Sequence, residues 1–230
     1  MRRRRFLEAG VAATSALLLV LGGPLGSAAQ DATPDAATPE PPAPVTVALQ
    51  NVDGLLAGSL TFSEDEPGMV SISGNIIGLE PGDHGIHVHE TGACDPSGEK
   101  PFSSAGAHFN PTDAKHGGPP EAADEAATPM ASPVSGEAHA GDLGNVTVGD
   151  DGIGRFSITT DRFTISPGET SLADGDGSAV VVHADADDLK TDPSGNSGDR
   201  LVCGVIFPPA GDGEGTPSAG DGTAVATPES

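Results

Sequence analysis

Apolar and polar positions alternate through the middle of this chain, from Val45-Thr46-Val47-Ala48-Leu49-Gln50 onward, with the period of two that marks half-buried strands. Between residues 45 and 207 the pattern predicts strands over 45–50, 55–63, 68–79, 84–90, 143–149, 153–161, 178–183 and 201–207. Asn51-Val52-Asp53-Gly54, Asp65-Glu66-Pro67-Gly68 and Gly149-Asp150-Asp151-Gly152 supply turn chemistry between them. No sustained 3.6-residue period follows the N-terminal segment. The expected fold is all-β, an eight-stranded antiparallel barrel or sandwich interrupted by two long insertions, 91–142 and 184–200. Loops of that length in a compact domain usually carry function.

The flanks follow different rules. Arg2 to Arg5, Phe6-Leu7 and an apolar run from Ala9 to about Leu25 precede small residues and read as a twin-arginine-type export signal over 1–29. An ordinary secretory signal or an uncleaved anchor is the alternative. Thr14, Ser15, Gly22, Gly23 and Pro24 break the apolar run and weigh against a spanning helix. Residues 30–44, 119–138 and 208–230 are rich in Pro, Ala, Thr and Gly and have too few apolar residues to offset ordering entropy. They read as a disordered linker, a low-complexity insertion and a disordered tail around a domain spanning 45–207. The linker would serve equally well as a cell-envelope tether or a free segment.

Charge narrows the partners. The 230 residues carry 34 acidic and 10 basic side chains, a formal net charge of −24. Four of the basic residues lie in the export segment, which makes nucleic acid and anionic membrane surfaces poor partners for the remaining body. Export also sets the reading of the two cysteines, Cys94 and Cys203. In an oxidising compartment they point to a disulfide, with two buried thiols as the alternative.

The candidate chemistry lies in seven histidines. In His87-Val88-His89 the two imidazoles share one face of a strand while Val88 turns to the other. His108, His116 and His139, with Asp142 three residues after His139, could form a closed tetrahedral zinc set. His183 ends the apolar run Val180-Val181-Val182, and with His87, His89 and His108 it makes four imidazoles, a set suited to Cu(II). Each piece alone could be packed or solvated histidine.

Together they resemble the copper–zinc superoxide dismutases. The resemblance runs in order through Gly85-Ile86-His87-Val88-His89-Glu90, His108-Phe109-Asn110-Pro111, Lys115-His116-Gly117-Gly118-Pro119, Gly141-Asp142-Leu143-Gly144-Asn145, Val182-His183-Ala184-Asp185 and Gly195-Asn196-Ser197-Gly198-Asp199-Arg200-Leu201-Val202-Cys203-Gly204. It implies a Greek-key β-barrel and one copper and one zinc per chain. Copper would be held by His87, His89, His108 and His183; zinc by His108, His116, His139 and Asp142. It further implies that His108 bridges the ions and exchanges a proton in catalysis, and that Arg200 attracts and orients the superoxide anion. Asp187 would link a copper-side and a zinc-side imidazole, His84 would support the active-site loop without ligating, and Cys94 and Cys203 would form the intrasubunit disulfide. The implied reaction is conversion of superoxide to dioxygen and hydrogen peroxide by a Cu(II)/Cu(I) cycle, in a family that is often homodimeric. The competing readings are a non-catalytic extracytoplasmic copper-binding or copper-delivery protein on the same fold, and a copper-only dismutase.

Three departures stand out. An Ala/Pro-rich insertion separates His116 from His139, which puts zinc affinity in question. The 187–200 loop is short and poor in guiding charges, with Ser194 where the family commonly has Thr. Asp199 precedes Arg200 where a small residue is usual, so slower substrate association is expected.

Overall fold

The computed structural model describes residues 40–118, 133–134 and 138–211. The expected export signal, most of the linker, nearly all of the insertion and the tail beyond residue 211 lie outside the described residues.

Every strand anticipated from the alternation is present, with ends shifted by a few residues. They are β1 (Val45–Asn51), β2 (Leu56–Glu66), β3 (Met69–Ile77), β4 (Gly82–His89), β6 (Asp142–Val148), β7 (Ile153–Thr160), β8 (Ser178–His183) and β9 (Arg200–Phe207). A two-residue strand, β5 (Pro133–Val134), lies within the insertion and pairs in parallel with Thr159 and Thr160 of β7. It is too short for any sequence period to reveal.

The sheet order is β3-β2-β1-β9-β8-β4-β6-β7, and the β3–β7 pairing closes it into a barrel. All pairings among these eight strands are antiparallel. The β3–β4 and β7–β8 connections each pass over two neighbouring strands, as a Greek key requires. Closure leaves the barrel itself no long open edge. The β7–β8 connection, residues 161–177, is a third long loop that the sequence reading did not single out. Phe163, Ile165 and Leu172 bury it against the core. The buried carboxylate of Glu64 accepts hydrogen bonds from the N–H groups of Ile165 and Ser166, each 2.7 Å.

Two strands are buried on both faces, and these carry the site. In β8, Val180 and Val182 enter the barrel core. Ala179 and Val181 face outward into a second cluster with Phe102, Ala105 and Cys203. That cluster exists because a disulfide joins Cys94 to Cys203, with Cα atoms 5.7 Å apart, and fixes the first long loop on the outside of the barrel. Closing 109 residues of chain contributes up to ~4–5 kcal/mol in the chain-entropy account. In β4, Ile86 and Val88 face the core, while His87 and His89 face outward beneath the loops.

Candidate metal centre

Sheet register brings the candidate ligands together. His87 pairs with Asp142 across β4 and β6, and His183 pairs with Arg200 across β8 and β9. An isolated bridge places His108 opposite His89. Three backbone hydrogen bonds join the segments: Val88 N–H to Gly141 O (2.8 Å), Phe109 N–H to Val88 O (2.9 Å) and Gly141 N–H to Phe109 O (2.8 Å). Residue 141 must be glycine there, since a Cβ would fall 2.2 Å from Val88 O.

Two sets of four side chains result: His87, His89, His108 and His183; and His108, His116, His139 and Asp142. Within each set the candidate ligand atoms lie within 4.8 Å of one another, and every member is buried. Only His108 belongs to both.

On the first set, each imidazole has one nitrogen held and the other free. His87 Nε2 donates to Asp187 Oδ2 (2.8 Å) and His89 Nδ1 to Gly106 O (3.0 Å). His108 Nδ1 donates to Asp142 Oδ1 (2.7 Å) and His183 Nδ1 to Gly198 O (3.3 Å). The remaining atoms, His87 Nδ1, His89 Nε2, His108 Nε2 and His183 Nε2, are buried with no hydrogen-bond partner. A neutral ring that donates from one nitrogen carries its lone pair on the other. Four buried lone pairs thus converge, an arrangement too costly to persist as a purely structural feature. It fits a divalent transition-metal cation of the kind imidazole binds.

The second set is mixed. His116 Nδ1 lies 3.1 Å from Asp142 Oδ2 without making a hydrogen bond, and His139 Nδ1 lies 3.3 Å from Asp142 Oδ1. Burial opposes ionisation of Asp142. A hydrogen bond from His108, the close approach of His116 and a hydrogen bond from the Gly117 N–H together outweigh it, holding the carboxyl well below the usual range. Three imidazoles and a carboxylate are a closed tetrahedral set of the kind structural zinc takes.

Asp187 ties the sets together. Its Oδ2 accepts from His87, and its Oδ1 lies 2.9 Å from His116 Nε2. Asn145 holds the main chain of Asp187 in both directions, donating to its carbonyl (2.9 Å) and accepting from its N–H (2.7 Å). Gly195 crosses directly above this carboxylate with φ +60, leaving no room for a side chain. His84 does not belong to either set. Its ring nitrogens lie 2.8 Å from His183 O and 2.9 Å from Glu80 O, behind the ligand strands.

The sets open onto a cavity of about 710 Å³. His108, His139, His183 and Arg200 line it. The Arg200 guanidinium is held by the carbonyls of Phe102 (2.7 Å) and Gly106 (2.6 Å), both on the loop fixed by the disulfide. Gly106 O also accepts from His89, so one carbonyl positions the cation and a candidate ligand together.

Residues 56–206 match the protein-family description copper/zinc superoxide dismutase. The chain belongs to the copper/zinc superoxide dismutase family. It is 38% identical over 164 residues to a Cu-Zn superoxide dismutase from Deinococcus radiodurans, an alignment covering 69% of this chain and 81% of that one. A solved SOD-like protein from Bacillus subtilis superposes with a TM-score of 0.56 at 34% identity, covering 70% of this chain and 97% of the other. The clock protein EA4 superposes with a TM-score of 0.56 at 35% identity over 71% and 93% of the two chains. Membership makes the chain an oxidoreductase of the superoxide dismutase type, acting on superoxide.

Two residues of the dismutase site escaped the sequence reading. Lys100, on the disulfide loop, lines the cavity and adds a second cation to Arg200, alongside the carboxylates of Glu90, Asp113 and Asp199. Steering by single charges at a shaped entrance changes association rates. Lys100→Ala is expected to slow superoxide association and Asp199→Ser to speed it, each about two- to threefold. Both effects should shrink as ionic strength rises. Rates that move together, or ignore salt, would rule out steering at this entrance. The second residue, Arg162, donates to the main-chain carbonyls of His139 and Asp142 in the second set.

Proposed function

We propose that the chain dismutates superoxide with one copper held by His87, His89, His108 and His183, and one zinc held by His108, His116, His139 and Asp142. The convergence of four unpartnered, buried imidazole nitrogens carries this reading. Bound copper would supply the one-electron couple that lets one superoxide be oxidised and another reduced, while zinc would contribute fixed charge without redox chemistry. The chain's own residues do the rest. Arg200, which lines the cavity, presents a permanent planar cation to the anion. His108, held at Nδ1, is placed to take and return a proton at Nε2, where the product peroxide needs one. The barrel and disulfide hold these groups in place before substrate arrives.

The protonation states favour loading at neutral pH. Burial, with only partial opposition from Asp142, pushes His108 down to about 4, and burial pushes His183 down to about 3. Both therefore offer lone pairs at pH 7. At His116 burial also opposes charge, but Asp142 and Asp187 overcome it and push the pKa up to about 9. In the metal-free protein His116 is protonated at neutral pH. Its stabilising contribution is complete below the ordinary histidine pKa and is lost as pH rises through about 9. His116 would have to give up that proton to hold zinc. Zinc affinity should thus rise by about tenfold per pH unit from pH 7 and level off near pH 9. Competition with a chelator of known pH dependence measures it, and a flat profile would contradict the assignment.

We further propose that the protein acts outside the cytoplasm, a reading supported by the Arg-rich, then apolar N-terminal segment and by the Cys94–Cys203 disulfide. Metal analysis alongside superoxide decay separates the alternatives. One copper and one zinc per chain with rapid turnover supports the proposal. Copper without turnover indicates a binding or delivery protein, and turnover with copper alone indicates a copper-only enzyme.

A further inference from the structure

Arg162 follows β7 directly, in Thr160-Asp161-Arg162-Phe163, and only 9% of it is exposed. Burying a guanidinium costs several kcal/mol unless its donors are used. Its Nη1 donates to the carbonyls of His139 (3.2 Å) and Asp142 (3.1 Å) and its Nη2 to that of Gly118 (3.3 Å), while Nε is buried without a partner. Two of these carbonyls belong to members of the second ligand set. The third lies two residues beyond His116, on the near side of the insertion. The two sides also touch, since a Cβ on Gly117 would fall 3.1 Å from the Cβ of Ala138. Pro133–Val134 pairs with Thr159 and Thr160, and Thr160 lies two residues before Arg162. The strand that leads into Arg162 therefore also pairs with two residues inside the insertion.

From these contacts we propose that Arg162 is a positioning residue for zinc, closing the neck of the insertion so that His116, His139 and Asp142 stay gathered. The proposal rests on the zinc reading above. Its physical sense lies in the sequence between the ligands. A stretch rich in Ala and Pro offers little apolar surface to hold its own ends together. Lengthening a loop raises its closure cost only slowly, by about 0.6 kcal/mol per doubling. The greater threat is angular freedom of the ligands at the two ends. A planar fork with fixed donors reading three carbonyls removes that freedom in a way a flexible ammonium cannot. Asp142 also attracts the guanidinium, so the cation is matched to the ligand set it supports.

The test follows zinc transfer to a chromophoric chelator from the fully loaded chain, for the parent, Arg162→Met and Arg162→Lys. Arg162→Met should bind zinc about 10–100-fold more weakly, while copper affinity stays at the parental value. Arg162→Lys, which keeps the charge but not the fork, should fall between the two. Melting of the metal-free variants shows whether each is folded at the assay temperature; if Arg162→Met is not, the Lys variant decides. Parental zinc retention in the folded variant would overturn the role of Arg162, as would equal loss of copper. A parent that takes up no zinc would instead overturn the zinc reading itself, and this proposal with it.

Discussion

Replacing His108 with alanine is expected to lower the dismutation rate of the loaded protein by about 10²–10⁴-fold, the range set by loss of a positioned proton donor. The effect should be the largest of any single substitution here, because His108 alone serves both ligand sets. Its Nδ1 faces Asp142 and its Nε2 faces His87, His89 and His183, with the His87 ring centroid 4.0 Å away. Alanine removes a ligand from each set and the proton carrier between them. It also leaves Asp142 without one of the partners that hold it ionised. Metal content must therefore be read with the rate. The expected result is weakened zinc retention together with slow turnover, measured by superoxide decay on protein of known metal content. A variant that keeps near-parental turnover with both metals bound would remove His108 from the mechanism.

Replacing Asp187 with alanine should weaken both sites at once, by about 10–100-fold in metal affinity. One oxygen of this carboxylate orients His87 and the other faces His116, so its loss frees a ring in each set. It is deeply buried, and although burial opposes its ionisation, hydrogen bonds from His116, His87 and the Leu189 N–H hold it well below the usual range. Without it, His116 loses one of the two carboxylates that raise its pKa, which should fall. The zinc pH profile should then level off at lower pH than in the parent. This separates Asp187 from Arg162, whose removal should spare copper. Chelator competition for each metal reads both outcomes, and loss confined to one metal would show that Asp187 does not couple the sites.

Much of this was legible in the chain because period-two alternation and metal chemistry leave local traces. The alternation at Ile86-His87-Val88-His89 assigns the histidines to the face opposite the core, and β4 places them there. His183 ends an apolar run and lies at the end of β8. The members of the second set come from one loop, and their spacing could be read directly. Arg162 left no such trace. Thr159-Thr160-Asp161-Arg162 reads as a polar strand end, and its role arises only because the β7–β8 crossover passes beneath the other loop. Lys100 was similarly hidden, since it reaches the cavity only through the Cys94–Cys203 linkage and the turn at Ser103–Ala105. The burial of β8 on both faces has the same origin: its outer face is covered by the loop that carries Phe102 and Ala105, far away in sequence.

The central claim is that two metal ions share one imidazole, and exchange coupling between paramagnetic ions tests it directly. Cobalt(II), like zinc, accepts a tetrahedral nitrogen and oxygen set, so it can be loaded in the second site with copper(II) in the first. If His108 joins the ions, the copper electron paramagnetic resonance signal should collapse when cobalt is bound and return when cobalt is replaced by zinc. A full-intensity copper signal in protein containing one copper and one cobalt per chain would contradict the shared ligand and the mechanism built on it.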